Sequence, residues 1–198
     1  MSDIKEIVVD GNEVFDFINF ALKNKDKNDI EFRSCDFLKE DILKLSNARE
    51  YERIAFIDCS FEDCTLIQNI KTKSLSFTNN RVNNYEFIYN MSFLENLTVV
   101  GGNVDASKFN NLNKLKYLRL SHSYVDNIEK YISTNLKYLF IDNTNIKDLS
   151  FINNFVNLEI LSISEDQRLY NKELIEKISG RVKVIYDSII EMEVYPYD

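Results

Sequence analysis

Ser121 and His122 are adjacent in the sequence, His122 is the only histidine, and Asp142 follows twenty residues later. Together these residue types could supply a nucleophile, its base and the carboxylate that orients the base. Neighbouring side chains on one strand point in different directions, however, and no set of backbone donors for an oxyanion is evident. The sequence therefore argues against a hydrolytic enzyme and indicates that these residues make surface contacts.

Three cysteines offer a second kind of chemistry, because thiolates bind zinc. Cys59 and Cys64 are separated by four residues, a spacing found in zinc-binding pairs. Whether Cys35 or His122 could complete such a site depends on the elements that carry them. The only adjacent glycines, Gly101 and Gly102, precede no predicted helix, so the sequence contains no phosphate-binding loop.

A strand-like segment recurs along the chain every 21 to 24 residues. Each copy has a central apolar residue and a second apolar residue two positions later, and both are expected to face inward. The nine central residues are Ile7, Ile30, Ile54, Leu75, Leu97, Leu118, Leu139, Leu161 and Val182. Five positions after each centre stands a small or polar residue that can hydrogen-bond the backbone of the neighbouring coil.

The clearest copies read Leu115-x-x-Leu118-x-Leu120-x-x-Ser123-x-Val125 and Leu136-x-x-Leu139-x-Ile141-x-x-Thr144-x-Ile146. In this pattern the chain resembles a leucine-rich-repeat protein of the short, bacterial type. The resemblance implies an α/β solenoid, a leucine-rich-repeat arc with a parallel concave β-sheet of about nine strands, helical N-terminal coils and a C-terminal cap. It also implies one domain over residues 1–198, with N-terminal coils and cap at 1–50, central repeats at 51–180 and the C-terminal cap at 181–198.

The segments between the strands differ along the chain. Apolar residues at helical spacing predict helices over residues 13–24, 38–48 and 171–179, the last with Asn171 as N-cap and Gly180 after its end. The middle connections are rich in Asn, Lys and Ser and predict turns or short 3₁₀ segments. Residues 191–195 alternate like a strand and are a candidate C-terminal cap. A five-residue beat over residues 56–66 resembles a pentapeptide-repeat β-helix, which the longer spacing from Leu75 onward disfavours.

The alignment of the repeats indicates whether the cysteines form a disulfide, bind zinc or stay reduced. Cys35 and Cys59 occupy equivalent positions of neighbouring coils, so their Cα atoms should lie about 5 Å apart, within reach of a disulfide. An odd number of cysteines in a chain of this size favours buried, reduced thiols instead. His122 lies three coils from Cys59, about 14 Å away, which is far beyond a zinc bond. We therefore expect no metal and no cofactor.

Side chains that alternate with the inward-facing ones are expected to point to solvent on the concave sheet. On two adjacent strands they form one predicted patch, which consists of Tyr117, Arg119, His122, Tyr138, Phe140 and Asp142. Tyrosine and arginine are enriched among the residues that dominate the binding energy of protein interfaces. The sequence thus predicts a protein-binding patch at these six positions and no catalytic residue.

The amino-acid composition indicates which class of partner the chain binds and in which cellular compartment it is found. The net charge of −8 disfavours nucleic acid and favours a neutral or basic protein partner. No apolar run is long enough to span a bilayer, and the start shows no signal sequence. The expectation is a cytoplasmic protein that does not bind membranes and is monomeric when free.

These observations predict a non-enzymatic protein–protein interaction module. A small acidic chain is expected to act by covering its partner, as a stoichiometric inhibitor or an immunity-type protein does. The Asn-, Lys- and Ile-rich composition favours a bacterial source. The alternative is an internalin-like surface adhesion protein, which needs a secretion signal.

Overall fold

The computed structural model describes residues 6–82 and 84–186. In chain order the strands are β1 (Glu6–Asp10), β2 (Asp29–Arg33), β3 (Asp36–Phe37), β4 (Tyr51–Ile57), β5 (Ser60–Phe61), β6 (Thr72–Thr78), β7 (Asn96–Val100), β8 (Asn103–Asp105), β9 (Tyr117–Arg119), β10 (Tyr124–Asp126), β11 (Tyr138–Phe140), β12 (Ile160–Ile163) and β13 (Lys183–Tyr186). The α-helices are α1 (Phe17–Lys23), α2 (Lys39–Ala48) and α3 (Glu173–Ile178). Short 3₁₀ segments occupy Cys64–Asn69, Glu86–Asn90, Ala106–Asn111, Ile128–Lys130 and Ser150–Asn154. The three predicted helices and the predicted short middle turns are confirmed.

Nine of these strands form one parallel sheet, in the order β1-β2-β4-β6-β7-β9-β11-β12-β13. The predicted central residues of the first eight coils pair in register, from Ile7 opposite Ile30 to Leu139 opposite Leu161. Because side chains alternate along a strand, the residues one position before, one after and three after each centre share the opposite side of the sheet. We call that side the concave face. Two short pairs, β3 with β5 and β8 with β10, continue the coils beyond the sheet.

The last strand departs from the predicted register. The sequence predicts Val182 as its central residue, which is wrong, because Leu161 pairs with Val184. The backbone amides of Arg181 and Val182 both donate to the carbonyl of Ile178 at 2.8 Å, so these residues still belong to the turn that ends α3. Val182 is buried all the same.

The start of α3 also differs from the prediction. Lys172 is its N-cap residue, and Asn171 does not cap the helix. Asn171 joins coils instead, accepting from the Leu149 amide at 3.0 Å and donating to Asp148 at 2.8 Å. Ser179 is the C-cap, so Gly180 follows the helix as predicted. The predicted cap at residues 191–195 lies outside the described residues, and the single-domain division stays a prediction.

Inward-facing residues stack from coil to coil along the core. The eight residues that lie two positions after the first eight centres are all 0 % exposed. They are Val9, Phe32, Phe56, Phe77, Val99, Leu120, Ile141 and Ile163. In the first coils this column is aromatic, with ring centroids 5.8 Å apart for Phe32 and Phe56 and 5.3 Å apart for Phe56 and Phe77. The aromatic and aliphatic side chains together form one continuous core.

A second aromatic column runs through the 3₁₀ side of the later coils. It consists of Tyr89, Phe109, Tyr131 and Phe155, with 5.2 to 5.8 Å between the centroids of successive rings. The two columns meet in the 3₁₀ segment Glu86–Asn90. There Phe87 contacts Phe77 of the first column at 5.6 Å, and Tyr89 begins the second.

Polar side chains five positions after the centres tie each coil to the previous one. Asn80 and Ser123 donate to a backbone carbonyl of the preceding coil at 2.8 and 3.1 Å. The thiols of Cys35 and Cys59 contact the equivalent carbonyls at 3.7 and 3.5 Å. The predicted bonds between neighbouring coils are therefore confirmed at these four positions.

The chain turns out of the sheet through a left-handed residue in six successive coils. Positive φ angles occur at Ser34, Asp58, Asn79, Gly101, His122 and Asn143. This conformation disfavours β-branched side chains, and Gly, Asn and Asp tolerate it best. We predict that Asn79→Val lowers the free energy of unfolding by about 1–2 kcal/mol, while Asn79→Gly changes it little.

Urea unfolding of these two variants measures the effect. Thr78→Val is the matched control, because Thr78 is a β-branched residue within strand β6. Equal unfolding midpoints for Asn79→Val and Thr78→Val would contradict the prediction.

Candidate functional site

Pairing of β9 with β11 brings the predicted patch together. Tyr117 lies opposite Tyr138, and Arg119 lies opposite Phe140. The centroid of the Tyr117 ring is 6.4 Å from that of Tyr138 and 5.1 Å from that of Phe140. Tyr117 and Phe140 are only 8 % and 6 % exposed, whereas Arg119 and Tyr138 are half-buried. The two buried rings thus support a contact surface that Arg119 and Tyr138 present.

Asp142 anchors the edge of this patch and is 5 % exposed. Its carboxylate accepts hydrogen bonds from Ser121 Oγ at 3.1 Å and from Ser162 Oγ at 2.5 Å, on the coils to either side. Arg119 Nε donates to the same Ser121 Oγ at 3.1 Å. The hydrogen bonds therefore run across three coils and hold the guanidinium of Arg119, which lowers the conformational entropy that it would lose on binding a partner.

His122 lies at the rim of the patch and is exposed. Its backbone amide donates to the carbonyl of Asp142 at 2.9 Å, and its Nε2 lies 3.5 Å from Asn143 Nδ2. Ser121 donates its hydroxyl proton directly to the carboxylate of Asp142. A serine nucleophile needs its proton to be taken by the imidazole, so Ser121 does not adopt the arrangement of a catalytic serine here.

A charged cluster on β1, β2 and β4 is the feature that sequence reasoning missed. Arg53 is 6 % exposed, and its guanidinium lies 3.0 Å from Glu31, 2.8 Å from Asp29 and 3.1 Å from Glu6. Arg33 lies 2.5 Å from the other oxygen of Glu31. The signal was present in the sequence, because all five residues fall on concave-face positions of three neighbouring strands.

The strands between the two clusters carry only short side chains on the concave face. These are Ser74, Ser76 and Thr78 on β6, and Asn96, Thr98 and Val100 on β7. Because none of these side chains is long, a partner can approach the backbone of the sheet more closely here than over either cluster. The concave face therefore has a charged part on β1, β2 and β4, a middle region of short side chains on β6 and β7, and an aromatic part on β9 and β11.

The cysteines have a structural role in this arrangement. Cys35 and Cys59 are buried, as predicted. The hydrogen bond between the two thiols, together with burial, raises the pKa of Cys35 far above its usual range. The Cys35 thiol therefore stays protonated, which makes it a poor nucleophile and a poor metal ligand. Within residues 6–82 and 84–186, no three His, Cys, Asp or Glu side chains are grouped so that they could hold a metal ion.

Comparisons with known proteins bear on the fold. No protein-family sequence model matches the chain, and no curated protein matches its sequence. The structure of an internalin (inlF) from Listeria monocytogenes str. 4b F2365 matches with a TM-score of 0.61 and 17 % identity, over 81 % of this chain and 48 % of that chain. An internalin C2 (inlC2) from the same strain matches with a TM-score of 0.50 and 24 % identity, over 65 % of this chain and 59 % of that chain.

The likeness agrees with the nine-stranded parallel sheet, in which each coil contributes one strand. The chain has a leucine-rich-repeat fold. The leucine-rich-repeat chain spans 48 % and 59 % of the two internalins, which is less than two thirds of either. The pentapeptide-repeat alternative is wrong, because the five-residue beat gives way to the 3₁₀ segment Cys64–Asn69.

The leucine-rich-repeat fold brings all six predicted patch residues to neighbouring coils, but they differ in accessibility. Tyr117, Phe140 and Asp142 are largely covered by their neighbours, and Arg119, His122 and Tyr138 reach solvent. Their role in binding stays a prediction. None of the helices in the described part of the chain has the length and apolar character needed to cross a lipid bilayer.

Proposed function

We propose that this leucine-rich-repeat chain is a non-enzymatic interaction module that binds one protein partner on its concave face. The observation that carries the proposal is the surface formed by Arg119 and Tyr138. It combines half-buried residues of the types that dominate protein interfaces with a support of buried rings and hydrogen bonds. Such a prearranged surface binds at a lower entropic cost than a mobile one.

The role we favour is that of a stoichiometric inhibitor or an immunity-type protein. Nine parallel strands extend over about 38 Å at ~4.8 Å per spacing, which is long enough for an interface of standard size. A chain that covers its partner over such a face can block it without any chemistry. The net charge of −8 favours a neutral or basic partner. This role goes with a cytoplasmic protein that is monomeric when free.

The second candidate is a surface adhesion protein. The observation that favours it is the structural likeness to two internalins. An adhesion protein would be found outside the producing cell, and an inhibitor of the proposed kind inside it. Fractionation of the producing cells, followed by immunodetection of the chain, separates the two roles.

Arg119→Ala and Tyr138→Ala are expected to weaken binding of the partner by about 1–4 kcal/mol each. Their melting temperatures should change little, since both side chains are half-buried at the edge of the core. The measurement is titration calorimetry with a partner that has been isolated by pull-down on the wild-type chain and then purified. Tyr117→Ala and Phe140→Ala are poorer probes, because both rings are buried and their loss also disturbs folding.

Lys108→Ala and Lys114→Ala are the matched controls, since both lysines are exposed and lie outside the concave face. Asn154 is unsuitable as a control, because its side chain donates to the carbonyls of Glu129 and Tyr131. Loss of affinity in the two lysine variants, with full affinity in the Arg119 and Tyr138 variants, would mean that the partner binds elsewhere.

A further inference from the structure

The charge of the concave face is unevenly distributed. On β1, β2 and β4 it carries four carboxylates and two guanidiniums, which leaves a local charge of −2. These groups are Glu6, Asp10, Asp29, Glu31, Arg33 and Arg53. Asp58 follows β4 directly, is exposed and adds another negative charge at the rim. This part of the face therefore attracts cationic groups.

The aromatic part has a different character. On the coils of β9 and β11, the positive charge of Arg119 is balanced by the negative charge of Asp142. The remaining area is presented by the half-buried ring of Tyr138, which packs on the buried rings of Tyr117 and Phe140. A surface of this kind favours an apolar or aromatic anchor. The two parts of the concave face thus favour different chemical groups of a partner, cationic on one part and apolar or aromatic on the other.

The short side chains of β6 and β7 separate the two parts. From β4 to β9 there are three strand spacings, or about 14 Å at ~4.8 Å each. Over this middle region the sheet carries short side chains, while Arg53 pairs with carboxylates on β1 and β2 and Tyr117 packs on β11. A linking segment of a partner can therefore cross it without displacing a long side chain.

We infer that the partner presents a cationic cluster and an apolar or aromatic anchor at least about 14 Å apart, the first seated on β1, β2 and β4 and the second on β9 and β11. The inference rests on the proposed function and specifies the chemistry of the partner. Attraction of the cationic cluster governs the rate of association, and packing of the anchor governs the rate of dissociation.

A synthetic peptide tests this two-part recognition without knowledge of the natural partner. It consists of three lysines, a flexible six-residue Gly/Ser spacer and a terminal Leu-Trp pair. Six such residues have a mean end-to-end distance of about 14 Å, which matches the distance between the nearest strands of the two parts, β4 and β9. We expect it to bind the full-length chain about tenfold more tightly than the same peptide without the spacer, because only the longer one engages both parts at once. Tryptophan fluorescence at several salt concentrations measures both affinities.

Two variants of the chain show which part of the concave face binds the lysines of the peptide and which binds its Leu-Trp pair. The double variant Asp10→Asn/Asp58→Asn should lose about tenfold in affinity for the lysine peptide and most of its salt dependence, yet bind a peptide with glutamines in place of lysines as the wild type does. Asparagine tolerates the positive φ of 53° at position 58, so folding is retained. Tyr138→Ala should weaken binding of both peptides.

Equal affinity of the peptides with and without spacer, or an unchanged salt dependence in the double aspartate variant, overturns this inference. The proposed function is tested separately, by calorimetry with the isolated protein partner. If the peptides fail while Tyr138→Ala loses that partner, only the two-part recognition is wrong. If the Tyr138 and Arg119 variants keep full affinity for the partner, the proposed function is wrong as well.

Discussion

Ile141→Asp is expected to abolish folding. Ile141 is 0 % exposed and belongs to the inward-facing column that runs through the coils. An aspartate there places an unpaired carboxylate in the apolar interior at a cost of several kcal/mol. Native proteins are stable by only about 5–15 kcal/mol, so that cost removes most of the stability of the chain. Leu120→Asp, one coil earlier in the same column, should have the same result.

Circular dichroism and thermal unfolding measure this outcome. Arg119→Ala is the control, because Arg119 faces the other side of the sheet and is half-buried. It should melt close to the wild type. Cooperative melting of Ile141→Asp at the wild-type temperature would show that the assignment of inward and outward positions is wrong.

Arg53→Met is expected to lower the free energy of unfolding by about 3–5 kcal/mol. The arginine is 6 % exposed and lies against Glu31, whose side chain is 2 % exposed, and against Asp29. Its loss leaves the buried carboxylate of Glu31 with only the half-exposed Arg33 as counter-charge, and that penalty exceeds what the intact pair contributes. Urea unfolding of the single variant measures the effect.

A double-mutant cycle with Glu31→Met identifies the cause. The Arg53→Met/Glu31→Met variant should recover part of the stability that the first change removes, because the buried carboxylate is gone as well. Lys73→Met is the control: its ion pair with Glu52 has the same chemistry but is more than half exposed, so its loss should change stability little. Additive effects of Arg53→Met and Glu31→Met would show that the two charges do not depend on each other.

The fold was readable from the sequence because each coil repeats the same spacing of apolar residues. Eight of the nine predicted central residues pair as expected, from Ile7 to Leu161. The ninth predicted central residue, Val182, is wrong because the length of the repeat is not fixed where a helix ends. The coil that contains α3 is two residues longer than predicted, which moves the centre from Val182 to Val184.

The candidate patch could be located from the sequence, but its internal organisation could not. Spacing places Tyr117 beside Tyr138, whereas the burial of Tyr117 and Phe140 follows from how the rings pack on one another. The role of Asp142 depends on hydroxyl groups of two neighbouring coils, Ser121 and Ser162. The ion-pair cluster around Arg53 likewise needs the register of three strands, and charge alone does not show which groups meet.

The contact between the two aromatic columns affects the cooperativity of folding. In a solenoid each coil contacts only its neighbours, so the molecule behaves as a one-dimensional chain of locally coupled units. The 3₁₀ segment Glu86–Asn90 supplies both Phe87, which closes the first column, and Tyr89, which opens the second. Within the described residues this short segment thus couples an N-terminal block of coils to a C-terminal one. Together with the continuous sheet and core, this contact favours unfolding of the two blocks as a single unit.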